Sequence, residues 1–159
     1  MSKAVTVSLK PYFRLEEALK NEGIEDPTSV TKLTIEDMVY DDDFVYIREK
    51  MADTLEELIF NDAFIGWDYL DADTFLNCKG LKSVVLINAI KEIYDDAFAG
   101  CTGLKSVYLD TLVEYVSENA FRDSPEVTFT VHPDNYCFES VDGKLIKKND
   151  PIVGDHNDS

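Results

Sequence analysis

The stretch DADTFLNCKGLKSVVL at 71–86 is spelled again, nearly letter for letter, as DDAFAGCTGLKSVYL at 95–109. The two align at a spacing of 23 residues, and the alignment runs on into a third copy. Phe75, Phe98 and Phe121 form one column, Leu70, Ile93 and Val116 a second, and Leu81, Leu104 and Val127 a third. A fourth column holds small residues, Cys78, Cys101 and Ser124. Self-similarity at a fixed period of this length marks stacked repeats and decides the architecture before any single residue does.

Within each unit, the pattern L-x-x-[apolar]-x-[apolar] predicts a strand, as in Leu81-Val84-Leu86 and Leu104-Val107-Leu109. It occurs earlier as Leu55-Leu58-Phe60 and Val30-Leu33-Ile35, and later, one residue short, in VTFTV at 127–131. The sequence therefore predicts about five coils over 30–132, the first two with longer returns. One such unit has a single apolar stripe and cannot close a core alone. Stacking coils about 4.8 Å apart lets strand pair with strand in a parallel sheet and lets each phenylalanine lie on the next. The expected fold is an α/β solenoid forming one domain over 1–150.

A solenoid exposes core at both ends, so its ends need covers. At 14–24, RLEEALKNEGI carries Leu15, Ala18 and Leu19 at helical spacing with Gly23 as a stop, which predicts a helical cap within 1–29. A second helix is predicted at 41–52, with Phe44, Ile47 and Met51 on one face and three aspartates at its positive N-terminus. In the expected C-terminal cap, 133–150, the segment FESVDGKLI at 138–146 reads as a β-hairpin about Asp142-Gly143. The polar tail at 151–159 is expected to fray.

The formal charge of −17, from 32 acids against 15 bases, narrows the partners. Nucleic acids and anionic membranes are bound by basic surfaces, so neither is expected as a ligand. No apolar run reaches the roughly 18 residues of a membrane helix, and the first residues, MSKAVTVSLKPYF, lack a secretory signal's apolar core. The three cysteines are odd in number and have no CxxC spacing, which fits neither a disulfide framework nor a zinc site.

At this point the units resemble those of the BspA-like leucine-rich repeat family, which carry AF, then C, then L-x-x-[VI]-x-[LI]. The segment SVTKLTIEDMVYDDDFVYIREKMADTLEELIF resembles that family's entry and first repeats, and VHPDNYCFESVDGKLI its terminal hairpin; together the likeness spans about 28–147. Ser124 stands in place of a repeat cysteine, Cys137 in place of the family's commoner aromatic, and NDAFIGWDY at 61–69 reads as an irregular insertion. The resemblance implies a leucine-rich-repeat solenoid with its parallel sheet on the concave face. It also implies a surface or secreted protein, bacterial or protozoal, working in adhesion and protein contact, with no defining catalysis. No leader is visible in the chain as given, so a cytoplasmic address stays open beside the cell surface.

In an L-x-x-L-x-L strand, the residue between the last two core positions faces outward on the concave sheet. That column is Ile59, Val85 and Tyr108, preceded by Thr34 and flanked by polar positions that include Asn61, Asn88 and Asp110. An outward column of apolar side chains rimmed by polar groups is a candidate contact patch. The bland alternative is β-propensity on a solvated face. Phe64, Trp67 and Tyr69, aromatics in the 61–69 insertion, are candidate loop anchors, or else a satellite cluster packed under the loop.

No catalytic or metal-binding constellation is expected. His132 and Cys137 lack a third group to orient them, and neither Asp41-Asp42-Asp43 nor Asp68/Asp71/Asp73 has the spacing of a calcium loop. Cys78 and Cys101 are expected to be small buried residues. No cofactor is expected. The expected function is non-catalytic binding of a neutral or basic protein or glycoprotein through the concave sheet and the 61–69 loop. Two alternatives stand beside it: a structural or spacer module that self-associates through its coil edges, and, remotely, a hydrolase built on an acidic pair.

Overall fold

The computed structural model describes residues 3–11 and 13–148; the tail at 151–159 lies outside them. The chain opens with a strand, β1 (Lys3–Leu9), followed by helix α1 (Leu15–Asn21), a single 3-10 turn at Pro27–Ser29 and strand β2 (Val30–Val39). Helix α2 (Asp41–Lys50) leads to β3 (Glu57–Ile65) and the short β4 (Tyr69–Leu70). The repeats then alternate longer and shorter strands: β5 (Ser83–Ile87), β6 (Glu92–Ile93), β7 (Ser106–Leu109), β8 (Tyr115–Val116) and β9 (Thr128–Val131). A hairpin of β10 (Phe138–Val141) and β11 (Lys144–Lys147) closes the described chain.

The longer strands form a parallel sheet ordered β1-β2-β3-β5-β7-β9, and the shorter ones a second parallel sheet ordered β4-β6-β8. From β3 onward each turn of the chain supplies one strand to each wall, as β3–β4, β5–β6 and β7–β8, which is the solenoid that the 23-residue spacing predicts; after β1 and β2 the chain returns through α1 and α2. Between the walls, Phe75 lies 5.1 Å from Phe98, and Phe98 lies 4.9 Å from Phe121. The stack is closed at both ends by edge-on rings, Phe44 of α2 against Phe75 and Phe129 of β9 against Phe121. Phe75 and Phe98 are fully buried, and each burial contributes roughly 1.5–3 kcal/mol.

The small-residue column has a reason that spacing alone does not give. The Cys101 thiol donates to the carbonyl of Phe75, one coil earlier, and the Ser124 hydroxyl donates to the carbonyl of Phe98 in the same way. The position wants a short side chain with a donor, which cysteine and serine share. Turns between the walls also repeat: Asn77, Gly100 and Asp123, 23 residues apart, have φ of 58°, 74° and 66°. Glycine, asparagine and aspartate are the residues that enter this left-handed region at least cost.

Both predicted helices form. In α1, Leu15, Ala18 and Leu19 are buried, and Gly23, at φ 81°, ends it. The Ile24 amide reaches back to the Leu19 carbonyl and the Gly23 amide to that of Lys20, the paired bonds of a Schellman stop. In α2, Phe44 and Ile47 are buried as the helical spacing requires, and so is Met51, the residue that caps its end. Its third aspartate does more than meet the helix dipole. The Asp43 carboxylate is buried and accepts from the Tyr40 and Leu15 amides and from the Arg14 guanidinium, so it ties α1 to α2. Burial outweighs these donors and pushes the Asp43 carboxyl above its ordinary value.

The structure corrects the sequence reading in two places. No element is expected at 3–9, yet β1 pairs with β2 from Lys3 to Leu9 and buries Val7 and Leu9. The N-terminal cover is therefore a strand as well as a helix. The stretch from Asn61 is irregular, but within a strand: the register against β2 shifts by one residue between Phe60 and Ala63, and β3 runs on to Ile65, with Ala63, Phe64 and Ile65 opposite Asp37, Met38 and Val39. Only 66–68 is a turn, closed by the Asp68 amide on the Ile65 carbonyl. At the other end the hairpin forms as predicted, with Asp142 and Gly143 at φ 53° and 79°. It packs on β9 through the Phe129 amide on the Gly143 carbonyl.

Candidate functional site

Side chains alternate across β2, β3, β5, β7 and β9, so every second residue turns away from the core. Parallel pairing then sets these residues in rows across the sheet. One row reads Thr6, Thr34, Ile59, Val85, Tyr108 and Thr130, each opposite the next. The expected column is real: Ile59, Val85 and Tyr108 are adjacent in register and half-buried, with threonines on both sides. A polar row, Lys32, Glu57, Ser83, Ser106 and Thr128, runs beside it. Partial burial and the nearby Asp110 carboxylate raise the Tyr108 phenol above its usual value, so it stays a neutral donor at physiological pH.

One residue of this face was missed. Ile87, two positions after Val85, points the same way and lies opposite Asn61. The L-x-x-V-V-L rule stops at Leu86, whereas continued alternation beyond it would have found Ile87.

The polar rim is less free than the sequence reading expects. Asp110 is not an outward contact: it is buried, and its carboxylate accepts the Asn88 amide. Asn88 is at φ 49°, and its side-chain amide donates to Asp62. The Asn61 amide donates to Glu36. These three residues hold neighbouring coils together at the strand ends.

The three loop aromatics are not gathered into one cluster. Phe64 lies on β3, is 54% exposed, and borders a shallow cleft with Asn88 and Leu112. Trp67 stands on the turn at 67% exposure. Tyr69 is half-buried on β4, with its ring 4.9 Å from Tyr94, which lies 5.9 Å from Tyr115. Trp67 and Tyr69 share a groove with the start of α2.

Cys78 and Cys101 are buried and free, and burial pushes both thiols up to about 12. His132 accepts the Asp134 amide on Nδ1. Among the described residues no group of three or more His, Cys, Asp or Glu is placed to hold a metal ion. Among the same residues no helix is long and apolar enough to cross a membrane.

A model of the BspA-type leucine-rich repeat region, in six copies, matches residues 28–143. That is one copy more than the five coils expected from the spacing. The solved structure of the pneumococcal vaccine antigen PcpA is similar in fold, with a TM-score of 0.50 at 20% identity. The similarity takes in 75% of this chain and 35% of that one. No curated protein matches.

Proposed function

Since the chain belongs to the BspA-type leucine-rich-repeat family, we propose that it is a non-catalytic, adhesion-type module that binds a protein or glycoprotein through the outward face of its large sheet. The observation that carries this reading is the apolar stripe of Ile59, Val85 and Tyr108, held in register by backbone pairing and bordered by threonines. A sheet ordered before binding loses little entropy when a partner docks, and the stripe supplies contact area without rearrangement. Ile87 extends the patch. Trp67 and Phe64 lie beyond it as separate anchors. The net charge of −17 selects neutral or basic partners and disfavours nucleic acid. A surface or secreted location agrees with this reading.

The test is a binding screen of the purified chain against extracellular-matrix proteins and mucosal glycoproteins, beside the Val85→Asp, Tyr108→Asp double variant. Circular dichroism verifies that both are folded. Binding lost in the folded variant supports the reading; equal binding by both proteins overturns the assignment to this face.

A second reading, a structural module that associates with copies of itself, is favoured by the open edge of β1. Among the described residues β1 pairs only with β2, while the hairpin packs on β9 at the far end. An unpaired strand edge is a template for another strand. This reading expects light-scattering mass to rise with concentration, and to stop rising in a Thr6→Lys, Ser8→Lys variant.

A further inference from the structure

Tyr40, Trp67 and Tyr69 wall a groove of about 520 Å³ between the start of α2 and the turn after β3. Tyr40 is 41% exposed and Trp67 67%. Both rings stand beside a third, the half-buried Tyr69, so the groove presents aromatic surface from two segments of the chain. Three carboxylates complete the lining, those of Asp41, Asp42 and Asp71, and all three residues are exposed.

Among the described residues no basic side chain lines the groove, and two arginines at its border, on the lining residues Tyr40 and Thr74, are already held by acceptors of this chain. Arg14 is bound to the buried Asp43 carboxylate at 2.8 Å, so that pair is neutral overall. Arg48 donates to the Thr74 carbonyl. The groove therefore combines aromatic faces with three carboxylates that form no ion pair among the described residues. Such a combination attracts a cation twice, through the ring quadrupole and through the carboxylates. The molecule already uses half of this chemistry, since the Arg14 guanidinium sits 4.2 Å from the centre of the Tyr40 ring.

We infer that this groove receives a basic side chain, lysine or arginine, presented by a protein partner. The inference rests on the reading of the chain as a protein-binding module and gives that module a second, chemically selective contact. The stripe on the sheet supplies apolar area, while the groove reads charge. A neutral side chain of the same length gains only the ring contact.

Trp67 is the single tryptophan of the chain, so its fluorescence reports on the groove without a label. The full chain is titrated with acetyl-Gly-Arg-Gly-amide, acetyl-Gly-Lys-Gly-amide and the neutral citrulline tripeptide, and backbone amide shifts are followed in parallel. The inference expects a saturable change with one or both basic peptides, with shifts clustered on 40–42 and 65–71 and little response to citrulline. The arginine and lysine arms tell which cation fits better. Asp41→Asn with Asp42→Asn should weaken binding about fivefold or more. Trp67→Leu, followed by amide shifts, should weaken it about fivefold. A control that removes the same charge elsewhere, Glu118→Gln with Asp134→Asn, should leave affinity within about twofold.

Equal binding of citrulline, shifts spread over the whole acidic surface, or equal losses in the control would overturn the inference. Val85→Asp with Tyr108→Asp should leave this titration unchanged. Failure of the groove is thereby separable from failure of the sheet as a binding face.

Discussion

The rings of Phe98 and Phe121 lie 4.9 Å apart and within 6° of parallel. Each has an aromatic neighbour on its other side as well, Phe75 and Phe129, but Phe98 is fully buried whereas Phe121, one coil nearer the hairpin, is only half-buried. The stack is therefore most valuable in its middle. Phe98→Ala should cost about 3–5 kcal/mol in urea unfolding. Phe121→Ala should cost less, because solvent already reaches its ring. Equal losses at the two sites would mean that the rings act independently of their place in the stack.

Gly80 is bound by contact with the preceding coil rather than by its backbone angle. A Cβ there would sit 2.6 Å from the Asp53 carbonyl oxygen, where the Gly80 amide bonds the Ala52 carbonyl. Gly80→Ala is expected to destabilise by about 1–3 kcal/mol through forced separation of the coils. Gly66→Ala has open space around its new methyl and should be near neutral. Thermal melts of the two variants make the comparison.

Thiol chemistry should separate the cysteines cleanly. Cys78 and Cys101 are buried with thiols pushed up to about 12, while Cys137 is partly exposed. At pH 8 a disulfide-exchange reagent should find one reactive thiol in the native protein and three after denaturation. Rapid native reaction of two or more would show that the repeats open locally.

Asp43 couples the two helices, so Asp43→Ala leaves the Leu15 and Tyr40 amides and Arg14 without their acceptor. The expected cost is about 2–3 kcal/mol, read as a shift in the urea midpoint. The pH dependence has a defined sign. Burial raises the folded carboxyl above its unfolded value, so its contribution is full below the ordinary carboxylate range and is lost as pH rises through the raised one. Asp43→Asn cannot titrate and should lack that part of the slope, which a series of melts across the mildly acidic range would detect.

The repeat is legible in the sequence because a solenoid demands the same contact from the same position in every coil. Phe75, Phe98 and Phe121 show this at a glance, and so does the outward column of Ile59, Val85 and Tyr108. Elements outside that rule are harder to read. β1 is not a copy of the repeat, although Val5, Val7 and Leu9 alternate as an edge strand should. The run of β3 past Asn61 is hidden by Asp62, whose φ of 51° shifts the alternation so that Phe60 and Ala63 are both buried. Asp110 faces outward by position, but its side chain returns to the Asn88 amide, a bond that spacing cannot reveal. The aromatic groove joins Tyr40 to Trp67 across a helix and a strand, and no motif links them.

The turns bear on the charge of the whole. Asp37, Asp62, Asp68, Asp73, Asp96, Asp123 and Asp142 all occupy the left-handed region, the first two within β2 and β3 and the other five in turns, so part of the chain's acidity is the residue chosen for that backbone angle. The repeating corner at 77, 100 and 123 takes asparagine, glycine and aspartate in turn, so the position selects a backbone angle and leaves the charge free to vary. Successive coils can therefore differ in charge while keeping one shape: residues 71–93 carry three acids and three bases, whereas residues 94–116 carry four acids and one base.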